Sequence, residues 1–282
     1  MAAYHCRMDH LNAFMQARAA LAEADVDRKL DMTGRIAALS IAPEDAVAAC
    51  DLIDQPGRPA RPRLVPPQQV GRRRVGSRQG HAALIHALAH IEFNAINLAL
   101  DCVCRFRGHP VDFYRDWLRV AAEEGLHFRL LRDHLRTLGF DYGDFDAHDG
   151  LWQMAVRTAH DPLARMALVP RLLEARGLDA TPGIMDKLGG IGDTAGVAIL
   201  EIVLRDEIGH VAIGNRWFGW LCQTRDLDPL QTQADLAQRY RAPRLHGPFN
   251  LEARRKAGFS ERELALLQPT PGSRPKPPAP TT

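Results

Sequence analysis

Apolar positions recur at helical spacing along nearly the whole chain, and no stretch reads as a convincing pair of strands. From residue 9 to residue 53 the pattern predicts two or three short helices. The first carries Leu11, Phe14, Met15, Ala19 and Ala22 on its apolar face, with Glu23 and Asp25 following. Residues 55–80 break the pattern, because Pro56, Pro59, Pro62, Pro66 and Pro67 exclude regular helix. A long helix is predicted from about Gln79 to Arg105, broken at Gly108 and Pro110, and a second from Asp112 to Leu138, ended by Gly139. Residues 140–149 form a Gly- and Asp-rich loop. A short amphipathic piece with Trp152, Met154 and Val156 follows. Asp161-Pro162 then opens a third long helix, with Asp as its cap and Pro at its first position.

That helix is predicted to run to about Arg176 and stop at Gly177. Thr181-Pro182-Gly183 and Gly189-Gly190 punctuate a connecting segment, with a short helix over Ile184–Leu188. Asp193-Thr194 caps the last long helix, which reaches about Cys222. A weaker one spans Leu230 to Arg241, before the turn His246-Gly247-Pro248. The expected organisation is all-α. It comprises an N-terminal helical appendage over 1–54, a connector over 55–80, a bundle over 81–225, a C-terminal helical segment over 226–268 packing on that bundle, and a Pro-rich disordered tail over 269–282.

Composition narrows the classes without changing this picture. A formal charge of +2 over 282 residues gives no bulk case for nucleic acid or a membrane surface. The five cysteines, Cys6, Cys50, Cys102, Cys104 and Cys222, are odd in number and scattered, which suits thiols in a reducing compartment rather than a disulfide framework. No stretch reaches the roughly 18 uncharged apolar residues of a membrane span. His5, Arg7 and Asp9 interrupt what a secretory signal would need to be apolar, so the expected location is cytoplasmic.

The chemistry lies on the long helices. Two of them contain Glu-x-x-His, as Glu124-Gly-Leu-His127 and Glu207-Ile-Gly-His210. Residues three apart share a helix face, so each motif offers an oxygen and a nitrogen to one metal. The preceding helices place Glu92 and Glu174 in or beside largely apolar runs, where a lone carboxylate is costly to bury unless a cation neutralises it. Glu92 and Glu124 lie 32 residues apart, Glu174 and Glu207 lie 33 apart, and both members of the Glu-x-x-His motif repeat at an offset of 83. Gly108 lies midway between Glu92 and Glu124, so both arms of that hairpin return their carboxylates to the same height. Glu123 also shares the face of His127, and the offset selects Glu124.

One Glu from each of two helices and Glu-x-x-His from each of two others is the ligand set of ferritin-like di-iron and di-manganese carboxylate proteins. By analogy, Glu124 and Glu207 bridge two ions, Glu92 and Glu174 are terminal, and His127 and His210 each cap one. The expected fold is thus a ferritin-like four-helix bundle with extra N-terminal helices and a C-terminal extension. The expected cofactors are two metal ions, iron first and manganese as the alternative.

Further runs resemble a bacterial branch of the ferritin-like superfamily known as a domain of unknown function. They are His86-Ala-Leu-Ala-His-Ile-Glu92, Glu123-Glu-Gly-Leu-His-Phe128, Tyr142-Gly-Asp-Phe-Asp-Ala-His148, Val169-Pro-Arg-Leu-Leu-Glu-Ala-Arg-Gly-Leu-Asp179, Asp206-Glu-Ile-Gly-His210, and Phe249-Asn250 with Arg254 and Ala257-Gly-Phe259. The resemblance covers roughly residues 10–267. It implies the fold and the metal site but supplies no reaction. By ligand pattern the relative of known activity is the tRNA isopentenyladenosine hydroxylase.

Around this set, His86 and His90 are candidates for groups behind the ligands or for proton carriers. Asp206 is a candidate to orient a ligand histidine on a neighbouring helix. Pro170 must cost a hydrogen bond or kink its helix. Asn250 and Arg254 are candidates to close over the site, to bind an anionic substrate, or to cap a helix. Tyr114, Trp117, Trp152, Trp217 and Trp220 are expected in the core. The seven arginines of the connector (58, 61, 63, 72, 73, 74 and 78) fit a strap over acidic helix faces better than a phosphate-binding surface. The functional expectation is an enzyme that activates O2 to oxidise a small organic or RNA substrate, with a separate electron donor. The alternatives are ferroxidase or iron storage, manganese catalase-like activity, tRNA hydroxylation, and a metal-free helical scaffold.

Overall fold

The computed structural model describes residues 12–46, 52–71 and 73–268. Leu11, Cys6, Cys50, Arg72, the residues before Leu11 and the tail over 269–282 lie outside the described residues. The chain is an all-helical bundle, and its only β pairing among the described residues is a single bridge, Leu64 with Ala147. Its helices are α1 Ala13–Ala22, α2 Val26–Ile36, α3 Arg78–Arg105, α4 Val111–Thr137, α5 Gly150–Arg157, α6 Pro162–Leu168, α7 Ala175–Gly190, α8 Thr194–Thr224, α9 Pro229–Arg239, α10 Leu251–Lys256 and α11 Glu261–Leu267. A π-helical segment, Val169–Glu174, joins α6 to α7 without a break.

Two helix pairs make the bundle. In the first, α3 and α4 pack along their length around the turn at Gly108, whose φ of +78° places it in the left-handed region. In the second, the continuous α6–π–α7 span packs against α8, and α4 against α8 joins the pairs. α3 is long and apolar enough to cross a membrane by length and composition, but most of its apolar window is buried inside the protein. Its apolarity is that of the central helix of a core. A buried network locks α6 to α3 and α5. Arg165 donates to Asp101 at 2.7 Å, to Thr158 Oγ1 at 2.9 Å and to the Ala155 carbonyl at 2.7 Å, and Asp101 also accepts from Arg105 at 2.9 Å.

The third long helix does not stop at Gly177. It runs through Thr181-Pro182-Gly183 to Gly190, so Ile184–Leu188 is part of α7 and the connection shrinks to Ile191–Asp193, with Gly192 at φ +79°. Gly and Pro disfavour helix by about 1 and 3 kcal/mol. Leu178, Thr181 and Leu188 are buried, and packing of α7 on α8 overrides those preferences. The apolar face of α1 also differs from expectation. Ala13, Phe14, Ala17, Ala20 and Leu21 are buried, whereas Met15, Ala19 and Ala22 are exposed. In α5 it is Ala155, not Val156, that joins Trp152 and Met154 in the core. Tyr114, Trp117, Trp152 and Trp217 are core residues and Trp220 is half-buried. Cys102, Cys104 and Cys222 are buried in the interior.

Arg58 and Arg63 of the Arg-rich connector reach the acidic loop 140–149. Arg58 pairs with Asp149 at 2.6 Å and covers the Trp152 ring. Arg63 grips Asp146 at 3.0 and 2.6 Å, and Val65 and Ala147 complete backbone bonds across the contact. From the other side, α3 holds the same loop. His86 Nε2 accepts from the Gly143 amide at 3.0 Å and its ring stacks on Tyr142. His90 Nδ1 meets the Tyr142 hydroxyl at 2.9 Å, and its Nε2 lies 3.1 Å from the His148 carbonyl. Both histidines therefore serve this loop.

On α8, a Cβ added at Gly214 would lie 2.5 Å from Pro170 Cβ, whereas one at Gly219 meets nothing within 4 Å. Gly214→Ala is expected to destabilise the protein by about 1–3 kcal/mol. Gly219→Ala is expected to be neutral or to stabilise by up to about 1 kcal/mol. Denaturant melts of the two variants check this, and equal destabilisation would remove the close approach as the cause.

Burial lowers the titration of His86 to about 4. In the unfolded chain the ring takes up its proton near pH 6.5. Between those values the unfolded state binds more protons, so stability is full above pH 6.5 and is lost as pH falls towards 4. The loss from this ring is on the order of 3 kcal/mol. Amide exchange in loop 140–149, corrected for its intrinsic pH dependence, is expected to accelerate over that window in the wild type and less in His86→Gln.

Candidate metal centre

Pro170 sets the local geometry of one ligand helix. It has no N–H to give to the carbonyl four residues back, and the helix widens there to π-helical turns over Val169–Glu174. The Pro170 ring fits against α8 where Gly214 carries no side chain. Glu174 ends the widened segment, and its Oε2 is buried with no hydrogen-bond partner.

Glu92 on α3, Glu124 and His127 on α4, and Glu207 on α8 are all buried, and each offers one ligand atom within 4.8 Å of the others'. His210 Nδ1 lies 3.0 Å from Glu124 Oε1 and 3.8 Å from Glu207 Oε2. His127 Nδ1 lies 3.2 Å from Glu124 Oε2 and 3.8 Å from Glu92 Oε2. The Glu124 carboxylate is thus shared, with one oxygen towards His127 and Glu92 and the other towards His210 and Glu207. Glu174 sits close enough to Glu207 and Glu124 for their charges to act on it. The structure therefore gathers all six sequence-selected residues, four of them within the tightest group.

The electrostatics are those of a nest short of positive charge. Burial first, and Glu124 second, push Glu92 well above the usual carboxylate range and raise Glu207. Burial and the charges of Glu207 and Glu124 lift Glu174 to about 8. Burial would raise Glu124 too, but His210 and His127 outweigh it and hold that carboxyl well below its ordinary value. Burial likewise opposes charge on His127, yet its hydrogen bond to Glu124 and the nearby Glu92 carboxylate keep it protonated to about 11. His210 is raised well above its ordinary value by Glu124 and Glu123 against the same opposition. Five buried atoms here have no hydrogen-bond partner: Glu92 Oε2, Glu124 Oε1, Glu174 Oε2, Glu207 Oε2 and His210 Nδ1. Buried polar atoms are rarely left so. A cluster of them, acidic oxygens beside imidazole nitrogens, could hold metal ions.

The far nitrogens of both histidines are held by acids in a crossed pattern. His127 Nε2 faces Asp206 Oδ2 at 3.2 Å, and Arg205 steadies Asp206 at 2.8 Å. His210 Nε2 faces Glu123 Oε2 at 2.8 Å. A carboxylate at Nε2 keeps the proton there and leaves Nδ1 free to ligate. Asp206, on α8, lies behind His127 of α4. Glu123 lies 83 residues before Asp206, the same offset as the Glu-x-x-His motif, and that repeat is the sequence signal for its place behind His210.

Other candidates lie elsewhere. His86 and His90 bind loop 140–149. Asn250 caps α10 through the Ala253 amide at 3.1 Å. Arg254 is buried, grips Asp179 on α7 at 2.9 and 2.6 Å and donates to the Ala175 carbonyl at 3.2 Å. Its guanidinium fastens α10 to α7, and the residue also lines the cavity beside the π segment. That cavity, of about 700 Å³, is lined by Arg171, Leu172, Arg241, Arg244, Phe259 and Leu266 among others, but by none of the six ligand candidates.

Fold and site define a helical-bundle protein with a buried Glu/His group able to hold metal. The chain belongs to the family described as "Protein of unknown function (DUF455)", which matches residues 22–265. It is also similar to an "Uncharacterized protein" of Haemophilus influenzae (strain ATCC 51907 / DSM 11121 / KW20 / Rd), 50% identical over 231 residues that cover 79% of this chain and 77% of that one. No solved structure matches it.

Glu123→Gln and Asp206→Asn are each expected to weaken metal binding at this group by about 10- to 100-fold while leaving helix content unchanged. Equilibrium dialysis against Mn(II) with circular dichroism measures both. Unaltered affinity in the two variants would show that the crossed pairs do not orient the histidines.

Proposed function

We propose that this protein is a ferritin-like di-metal carboxylate enzyme whose two ions are iron, and that it uses O2 to oxidise an organic substrate. The observation that carries this reading is the divided Glu124 carboxylate, with one oxygen in each of two half-sites that both contain a Glu and the Nδ1 of a histidine. Four carboxylates balance two divalent charges. Carboxylate and imidazole together suit iron and manganese.

Glu92, Glu124, His127, Glu174, Glu207 and His210 would hold the two ions. When bound, the pair of ions supplies the redox chemistry that dioxygen needs. The chain does the rest. Asp206 and Glu123 keep the histidine protons on Nε2 and so present Nδ1. The surrounding core, with Phe93 and Phe128 packed at 5.6 Å between centroids, excludes bulk water. Binding of the ions would release the protons that His127 and His210 otherwise carry.

An enzyme is favoured over a storage cage because other elements cover the bundle's outer faces. α1 packs on α3, α2 on α4, α9 on α6 and α8, and α10 on α7 and α8. A small organic substrate is favoured over RNA because the connector arginines Arg58 and Arg63 are already paired with Asp149 and Asp146. The electron donor is left to a separate protein or reductant.

The expected result is that wild-type protein loaded anaerobically with Fe(II) holds about two more irons per chain than Glu124→Ala, and that O2 then oxidises them with a change in the near-ultraviolet spectrum. Iron content by mass spectrometry and stopped-flow absorbance read the two steps. Equal iron in Glu124→Ala would remove the ligand assignment. Two ions that O2 leaves untouched, with peroxide dismutated after manganese loading, would replace the oxygenase by a catalase-like activity.

A further inference from the structure

A second group of ligand types sits at one end of the bundle, on residues that the reading above does not use. His81 lies in the first turns of α3, His134 in the last turn of α4, and Asp193 is the residue that caps α8. Three helix ends therefore meet there. His81 Nε2 lies 2.6 Å and His134 Nε2 2.8 Å from the same oxygen, Asp193 Oδ2. The two rings are not stacked; they stand at 60° with centroids 6.0 Å apart, so both point their Nε2 atoms at one place. The side chains are 14%, 8% and 6% exposed respectively, His81 the most of the three.

Asp193 is fixed for this role. Its Oδ1 accepts from the Gly196 amide at 2.8 Å, the ordinary bond of a helix cap, which leaves Oδ2 to the histidines. A Cβ at residue 196 would collide with this carboxylate, and glycine there makes room for it. The group is separate from the Glu/His centre. His81 precedes Glu92 by 11 residues and His134 follows Glu124 by 10, which at ~1.5 Å per residue puts it roughly 15 Å further along the bundle.

We infer that His81, His134 and Asp193 form a second, mononuclear binding site for a divalent transition-metal ion such as zinc or iron. Two imidazoles and one carboxylate select first-row transition ions over magnesium or calcium. Three protein ligands leave a position for water. Ligand atoms at about 2.0–2.1 Å from a tetrahedral ion stand roughly 3.3 Å apart, so side-chain shifts of about half an ångström admit the ion and the helices need not move. Once bound, the ion ties the start of α3, the end of α4 and the start of α8 to one point.

Asp193→Asn separates this role from the helix cap, because Asn caps helices as well as Asp does. Full-length wild type, Asp193→Asn and His134→Gln, each stripped by chelator, would be dialysed against Co(II) or Zn(II) and counted by mass spectrometry, in the presence and absence of Glu124→Ala. The expected result is one ion fewer per chain in both end-of-bundle variants, in either background, with apo-protein melting of Asp193→Asn close to wild type. The same background comparison keeps the two sites apart, since loss of the Glu/His centre leaves this ion in place. Identical ion counts in wild type, Asp193→Asn and His134→Gln would overturn the inference and reduce the trio to a hydrogen-bonded cap.

Discussion

Ionised carboxyl groups are very costly to bury without compensating charge, and this chain buries several in one place. Glu92, Glu124 and Glu207 all sit in the interior beside His127 and His210, with Glu174 adjoining them. Much of the bundle can be understood as the scaffold that this nest requires. Both helix pairs must be long enough to bring their midpoints together. α8 must pass close to the π segment, and the histidines must be braced from behind. Without an ion, two imidazolium groups take up the positive role, which explains why burial fails to neutralise them. Metal ions would fill the same need with more charge and would satisfy the five atoms that have no partner.

The internal repeat extends beyond the ligands. Glu-x-x-His recurs at an offset of 83, and so does the acid immediately before it, Glu123 in one half and Asp206 in the other. Each acid braces the histidine of the opposite helix, so α4 and α8 are joined by two crossed bonds, Glu123 to His210 and Asp206 to His127. The halves nevertheless diverge where Glu92 and Glu174 are placed. Glu92 rides a regular helix, whereas Glu174 is the last residue of a π-helical segment that contains Pro170.

How much of this was legible depended on how local the cause was. The gathering of the Glu and His side chains and the helix pairs followed from spacing, because helical geometry converts sequence separation directly into height and face. The end of the third helix did not. Gly177, Pro182 and Gly183 are local signals to stop, and the packing of Leu178 and Leu188 that defeats them involves residues far along the chain. The face of α1 was misread for a related reason. Alanine fits either side, so Ala17 and Ala20 inside and Ala19 and Ala22 outside carry no distinguishing pattern. Glu123 carried no local signal, because its partner His210 lies 87 residues away in sequence. Nor did Arg254, whose partner Asp179 is 75 residues away and unremarkable in sequence.

The C-terminal extension connects these observations. Arg171, inside the π segment, donates to Asn215 on α8 at 2.5 Å and to Gln233 on α9 at 2.9 Å, and it pairs with Glu263 on α11. Arg254 on α10 holds Asp179 and the Ala175 carbonyl, just beyond the same segment. Two buried guanidinium groups therefore clamp the backbone on both sides of Glu174, and both depend on residues downstream of α8. A π segment is rare inside an α-helix, and here both of its flanks are held by side chains from other elements. The placement of one carboxylate in the nest is thus set by contacts to the chain's last helices. That gives those helices a physical purpose close to the site, although none of their residues belongs to it.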